Sequence, residues 1–108
     1  MFDYLHEREG HVVLERMEGN ISGYLSYSAR EGEVICVFSS IIEAERFYMQ
    51  WRARIPGEGW GAVQLEPEEL IKVLQNFDLV SLNPQPEAGA TEYLYTIEDF
   101  IRTLGEPG

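Results

Sequence analysis

The stretch that decides the fold is Val34-Ile35-Cys36-Val37-Phe38-Ser39-Ser40. Its five apolar residues in a row, without polar alternation, are typical of a strand that is covered on both faces. Ser40 with Glu43 three residues later is a capping box, which predicts that a helix begins directly after this strand. We therefore expect a buried central strand that leads straight into a helix.

The predicted helix covers residues 40–55 and carries two apolar surfaces. At about 100° per residue, most of its apolar side chains fall within an arc of roughly 120° that we expect to face the core. The members of this arc are Ile41, Ala44, Phe47, Tyr48, Trp51 and Ile55. Ile42 and Met49 lie together outside it and form a second, smaller patch. This patch is covered either by the N-terminal segment, with Phe2, Tyr4 and Leu5, or by another molecule.

The remaining patterns predict a single domain over residues 1–108. Alternating and apolar runs predict strands at 12–17, 21–28, 33–38, 62–65, 78–83 and 93–95, the first three as an antiparallel meander. Further helices are predicted at 67–77 and 96–104. The order of strands and helices between residues 33 and 83 is typical of parallel crossovers. We expect an α/β fold with α+β character: a single-layer mixed sheet of five or six strands with three main helices packed on it.

Two segments carry a family resemblance. The strand 34–40 leading into an Ala- and aromatic-bearing helix, and the strand 79–84 that ends in Asn83-Pro84, resemble the bacterial SseB-type (enhanced serine sensitivity) domain. The similarity covers roughly residues 33–104, and Ser39 replaces the Thr of the family pattern. The resemblance implies a compact α/β fold and a non-enzymatic role, and it transfers no catalytic residue.

Composition excludes several classes of function. A net charge of −11 argues against a general nucleic-acid binder, because such proteins need a basic surface for the phosphates. No apolar run is long enough to span a membrane, and the N-terminus lacks the pattern of a signal peptide, so we expect a cytoplasmic protein. Cys36 is the only cysteine, which rules out an internal disulfide and suggests a buried thiol.

Neither a metal nor a cofactor is expected. His6 and His11 resemble a zinc-protease motif, but their spacing of five residues would separate them by roughly 140° on a helix, and Gly10 would interrupt that helix. We interpret both histidines as surface residues beside carboxylates. Chelation with EDTA is expected to leave the melting temperature unchanged.

The function favoured by these patterns is a non-enzymatic protein-interaction module. Its candidate contact residues are Ile42, Met49 and Trp60, with Arg46 and Arg52 close to the patch. The partner is another protein or a second copy, whose acidic C-terminal half could meet the two arginines in a homodimer.

Two other functions remain open. The first is a small-ligand binder or enzyme with a site at the carboxyl ends of the parallel strands, where Ser39, Ser40, Glu66 and Asn83 would converge. The second is an acidic mimic of nucleic acid, which would need carboxylates spaced regularly along one surface.

Overall fold

The computed structural model describes residues 11–18, 21–84 and 94–105. In chain order the elements are strands β1 (Val12–Glu18), β2 (Ile21–Tyr24), β3 (Ser26–Ala29) and β4 (Gly32–Val37), helix α1 (Ile41–Trp51), strand β5 (Trp60–Gln64), helix α2 (Pro67–Leu74), strands β6 (Leu79–Leu82) and β7 (Leu94–Thr96), and helix α3 (Ile97–Gly105). The mixed α+β class and the three helices are as predicted.

The strands form two sheets rather than the single layer of five or six strands that the sequence predicted. A three-stranded sheet has the order β2-β1-β5, and a four-stranded sheet has the order β3-β4-β6-β7. The extra strand arises because the predicted strand 21–28 is bent at Leu25 and contributes to both sheets. The Leu25 N–H donates to the Leu14 carbonyl (2.9 Å), and its own carbonyl accepts from the Cys36 N–H (3.0 Å).

The two sheets are also joined where β1 begins and β4 ends. Val12 and Phe38 exchange two backbone hydrogen bonds, of 3.2 and 2.7 Å. The antiparallel pairing predicted for the meander over residues 12–38 is present, in β1 with β2 and in β3 with β4, but the two pairs belong to different sheets. Its two ends lie together at one corner of the molecule.

The predicted series of parallel crossovers is only partly correct. β4 and β6 are parallel neighbours, with Ile35 opposite Val80. β5 does not lie between them, because it pairs antiparallel with β1 in the other sheet, with Ala62 opposite Leu14. The connection from β4 to β6 thus passes through a strand of the other sheet, and no pattern within residues 33–83 could indicate this long-range pairing.

Residues 12–14 of β1 and 34–37 of β4 are buried on both faces, as the apolar run of residues 34–38 predicted for β4. Alternate residues of these strands enter two apolar clusters. The cluster beneath helices α2 and α3, called the α2/α3 face, contains Val13, Ile35, Val37, Leu65, Leu70, Leu74, Val80 and Phe100. The cluster beneath helix α1, called the α1 face, contains Val12, Leu14, Cys36, Phe38 and Ala44. The thiol of Cys36 is therefore buried, as predicted.

Helix α1 is shorter than the predicted span 40–55. Ser40 caps it by accepting a hydrogen bond from the Glu43 N–H (3.2 Å), which is the bond expected from the capping box. Its helical residues end at Trp51, so Ile55 lies in the turn beyond the helix. Trp51 is half-buried rather than at the centre of the core, and its ring stacks on Phe47 with centroids 6.3 Å apart.

The end of the chain follows its sequence signals closely. Thr96 caps α3 by accepting from the Asp99 N–H (3.1 Å). Tyr95 and Phe100 are in edge-to-face contact, with centroids 5.8 Å apart, at the two positions that form a hydrophobic staple. Phe100 thereby closes the α2/α3 face from the C-terminal side.

Candidate functional site

The first candidate site lies where three strands end. Val12 at the start of β1 pairs with Phe38 after β4 and with Gln64 of β5, and the Asn83 N–H donates to the Val37 carbonyl (2.7 Å). The ends of β4, β5 and β6 therefore converge at one edge, as the ligand-site hypothesis required. β5 reaches this edge because it is antiparallel to β1, not because it belongs to a parallel sheet.

Polar groups at this edge hold the backbone in place. The Asn83 side chain accepts from the Ser39 N–H (2.9 Å) and donates to the Ser39 hydroxyl (3.1 Å). Asn83 has a φ of 48°, a left-handed conformation that Asn adopts more readily than most residues. This pair fixes the turn from β4 into α1 against the end of β6. The structure thus brings Ser39 and Asn83 together, and the hydrogen bonds between them stabilise a turn.

The other residues proposed for this edge contribute differently. Ser40 is the cap of α1, and its hydroxyl accepts from the first turn of that helix. Glu66 occupies the N-cap position of α2, makes no side-chain capping bond and is exposed. His11 was predicted to lie on the surface but is only 4% exposed. It is buried because its backbone lies between strand ends, where its carbonyl accepts from the Leu65 N–H (2.8 Å).

The second candidate site is a groove between α1 and β5. It has a volume of about 350 Å³ and is lined by Leu14, Glu45, Tyr48, Met49, Trp60, Gly61 and Ala62. The floor is formed by β1 and β5, and one wall by α1. Two of the residues that the sequence proposed for partner contact, Met49 and Trp60, are brought together here. Ile42 does not line the groove.

Trp60 is part of a strand, because β5 begins two residues before the predicted strand 62–65. It is the first residue of β5, half-buried, and packs against the α1 face. Its indole N–H donates to the Pro56 carbonyl (3.0 Å), which fixes the ring at the end of the groove. The tryptophan is therefore neither a fully buried plug nor a free surface residue.

The small apolar patch predicted on α1 is exposed among the described residues. Ile42 is 64% exposed and Met49 is 65% exposed. On the helical wheel Ile42, Glu45, Met49 and Arg52 follow one another at spacings of three, four and three residues, and so form one flank of α1. The sequence-proposed covering residues Phe2, Tyr4 and Leu5 lie outside the described part of the chain.

The two arginines near the patch are in different situations. Arg46 is paired with Glu43 across one turn of the helix (3.4 Å); the Arg46 side chain is largely exposed and that of Glu43 is half-buried. Arg52 is exposed at the C-cap of α1, and no ion pair involves it among residues 11–18, 21–84 and 94–105. Arg52 is the better placed of the two to meet a partner.

Sequence reasoning missed most of the groove. Glu45 was not singled out, Tyr48 was assigned to the core, and the roles of Leu14, Gly61 and Ala62 depend on a strand pairing between distant segments. The one local signal was the succession of Trp60 and two small residues. Small residues beside a large ring leave space on a strand face unless a neighbouring element fills it.

Comparison with family models and with curated proteins found no match to this chain. Within the described ranges, no three His, Cys, Asp or Glu side chains are grouped so that they could hold a metal ion. Nor is any helix there of sufficient length and apolar character to cross a membrane.

Proposed function

We propose that this chain is a non-enzymatic interaction module that binds a partner protein through the surface formed by Ile42, Met49 and Trp60. The observation that carries the proposal is the position of Met49, which is 65% exposed and also lines an apolar groove with Trp60. Apolar residues at the centre and polar residues around them are typical of a protein contact surface. Glu45, Arg46 and Arg52 supply the polar surroundings.

The charge of the chain indicates the kind of partner. With a net charge of −11, it attracts a protein that is basic on its contact face and repels nucleic acid. A homodimer would have to bring two strongly acidic molecules together. The resemblance to SseB-type domains supports the same non-enzymatic role, which stays a proposal.

The ligand-site alternative is favoured by one observation, the convergence of strand ends around Ser39 and Asn83. It is weakened by the hydrogen bonds between these two side chains, because their polar atoms already serve the turn. Within the described residues these groups have a structural role that needs no ligand. A thermal-shift screen of soluble metabolites tests this alternative, since a bound ligand raises stability with occupancy.

The test of the interaction module is site-directed photo-crosslinking in cells. A photoreactive residue at position 42 or 49 is expected to give a discrete adduct with another protein. The matched control carries the same residue at Lys72, which is exposed on α2 and should give none. The partner identified in this way is then purified. We expect its affinity to fall at least tenfold for Ile42→Glu/Met49→Glu but to be unchanged for Lys72→Glu.

Equal adducts at position 72, or equal affinities of the variants, would contradict the proposal. Sedimentation of the chain alone, at low and high salt, identifies a second copy as the occupant. Dimerisation that weakens with salt and is lost in Ile42→Glu/Met49→Glu would show that the partner is this chain itself.

A further inference from the structure

Strand β5 has an open edge among the residues that the structure describes. It is the outer strand of the order β2-β1-β5 and pairs there with β1 alone. An outer strand presents unpaired backbone groups, which are a template for another strand. Its burial agrees with this position, because Gly61 and Gln64 are exposed and no residue of β5 is fully buried.

The hydrogen-bond phase shows which backbone groups are available. In an antiparallel pair, residues that bond to the partner strand alternate with residues that point away from it. The Leu65 N–H donates to the His11 carbonyl (2.8 Å), which sets this alternation. Val63 and Gly61 therefore bond to β1. The residues that point their N–H and C=O groups to the outer edge are Trp60, Ala62 and Gln64.

β5 lacks the features by which proteins usually block an outer strand. Edge strands are commonly protected by charged side chains, prolines or bulges. The strand sequence Trp-Gly-Ala-Val-Gln has no charge and no proline, and its pairing with β1 is regular over all five residues. The edge is thus compatible with an added strand.

The groove lies beside this edge and gives the added strand a place for its side chains. The side chains of Trp60 and Ala62 are two residues apart on β5 and therefore lie on the same side of the strand, the α1 face. Both line the groove together with Met49 of α1. A strand paired to β5 would extend the floor of the groove, and alternate side chains would point over it. Main-chain pairing with pockets for alternate side chains is the recurring mode of strand addition.

Charge at the two ends of β5 selects among possible occupants. Glu58 and Glu66 flank the uncharged residues 59–65, and Glu45 lies in the groove. If a second copy paired antiparallel about Ala62, Glu58 would lie opposite Glu66 of that copy, at both ends. Like charges in cross-strand positions are destabilising. The Arg16 Nε donates to the Glu58 backbone carbonyl (2.9 Å), so one positive charge lies at the Glu58 end of β5, and the attraction for a basic segment rests mainly on Glu45 and Glu66.

From these observations we infer that β5 is the docking strand for an extended, basic segment of a partner protein. The segment pairs with the outward groups of Trp60, Ala62 and Gln64, inserts an apolar side chain between Met49 and Trp60, and places Lys or Arg near the flanking glutamates. This inference rests on the proposed function and specifies its mode of binding and the chemistry of the partner.

The test uses the full chain and a random library of nine-residue peptides. Peptides selected on the wild-type chain are expected to be positively charged, with apolar residues at alternate positions. Ala62→Pro removes an outward N–H without removing a hydrogen bond to β1. It should lower the affinity of the chain for the selected peptides at least tenfold. A selection that yields acidic peptides, or peptides whose affinity Ala62→Pro does not change, would overturn the inference.

The matched control is Ser28→Pro on β3, the outer strand of the other sheet. The bond from the Cys36 N–H to the Leu25 carbonyl sets the phase there, so the Ser28 N–H also points outward. This variant should leave peptide affinity unchanged, and an equal loss would overturn the inference. If Ala62→Pro does not fold, Glu45→Lys/Glu58→Lys/Glu66→Lys provides the second test, with an expected loss of at least tenfold.

Hydrogen exchange of the free chain identifies other occupants of the edge. The amides of Trp60, Ala62 and Gln64 should exchange rapidly at every protein concentration. Protection that grows with concentration would indicate a second copy, and protection at all concentrations would indicate a segment of the chain itself; either result overturns the inference. A crosslinked partner at position 49 with peptides insensitive to Ala62→Pro would leave the proposed function intact and refute only strand addition.

Discussion

Helices cover the α2/α3 face of this molecule more completely than the α1 face. On the α2/α3 face two helices contribute Leu70, Leu74 and Phe100, and each is at most 3% exposed. On the α1 face a single helix contributes only Ala44 as a fully buried residue. One helix of eleven residues does not cover a surface made by both sheets. The difference explains why the groove and the exposed apolar residues occur beside α1.

The largest expected effect concerns the closed face. Phe100→Ala removes a ring that is 3% exposed and in contact with Tyr95, so it should lower the free energy of unfolding by about 3–5 kcal/mol. Urea unfolding measures this loss. Arg102→Ala, on the exposed side of the same helix, is the control and should change stability by less than about 0.5 kcal/mol. A small loss for Phe100→Ala would mean that α3 does not close this face.

The next effect concerns the turn from β4 into α1, which Asn83 contacts from the end of β6. Asn83→Ala removes the acceptor of the Ser39 N–H and places alanine at a φ of 48°, which should cost about 1–3 kcal/mol. Asn83→Gly loses the same hydrogen bonds but tolerates the backbone conformation, so it should be less destabilising than alanine. If both variants were as stable as the wild type, the Ser39–Asn83 contact would not be holding the turn.

A smaller loss is expected at the border of the α1 face. Trp51 stacks on Phe47, and the Arg54 guanidinium lies 5.2 Å from its ring centroid, but the side chain remains half-buried. Trp51→Ala should therefore cost about 1–2 kcal/mol, mainly from the aromatic contact and part of the burial. A loss equal to that of Phe100→Ala in the same urea titration would place Trp51 in a closed core.

Much of this arrangement could be predicted from local sequence. The apolar run before Ser40 indicated a strand buried on both faces, the capping box at Ser40 indicated where α1 begins, and the spacing of Ile42 and Met49 separated them from the main apolar arc. These features depend on residues fewer than eight positions apart.

The rest depended on contacts between distant segments. The bend at Leu25 is visible only from its hydrogen bonds to Leu14 on one side and Cys36 on the other. The pairing of β5 with β1 converts Trp60 from a loop residue to a strand residue and creates the groove. The burial of His11 has the same origin. The sequence could thus identify several residues of the candidate contact surface, but it could not predict the shape of that surface.

The central claim is that Ile42 and Met49 serve a partner and not the fold. Equilibrium unfolding of Ile42→Glu/Met49→Glu tests it most directly, with Ile41→Glu as the control, because Ile41 is half-buried against the α1 face. The account predicts a change within about 0.5 kcal/mol for the double variant and a clear loss for the control. A loss of about 2 kcal/mol or more for the double variant would show that the chain itself covers these residues, and would contradict the claim.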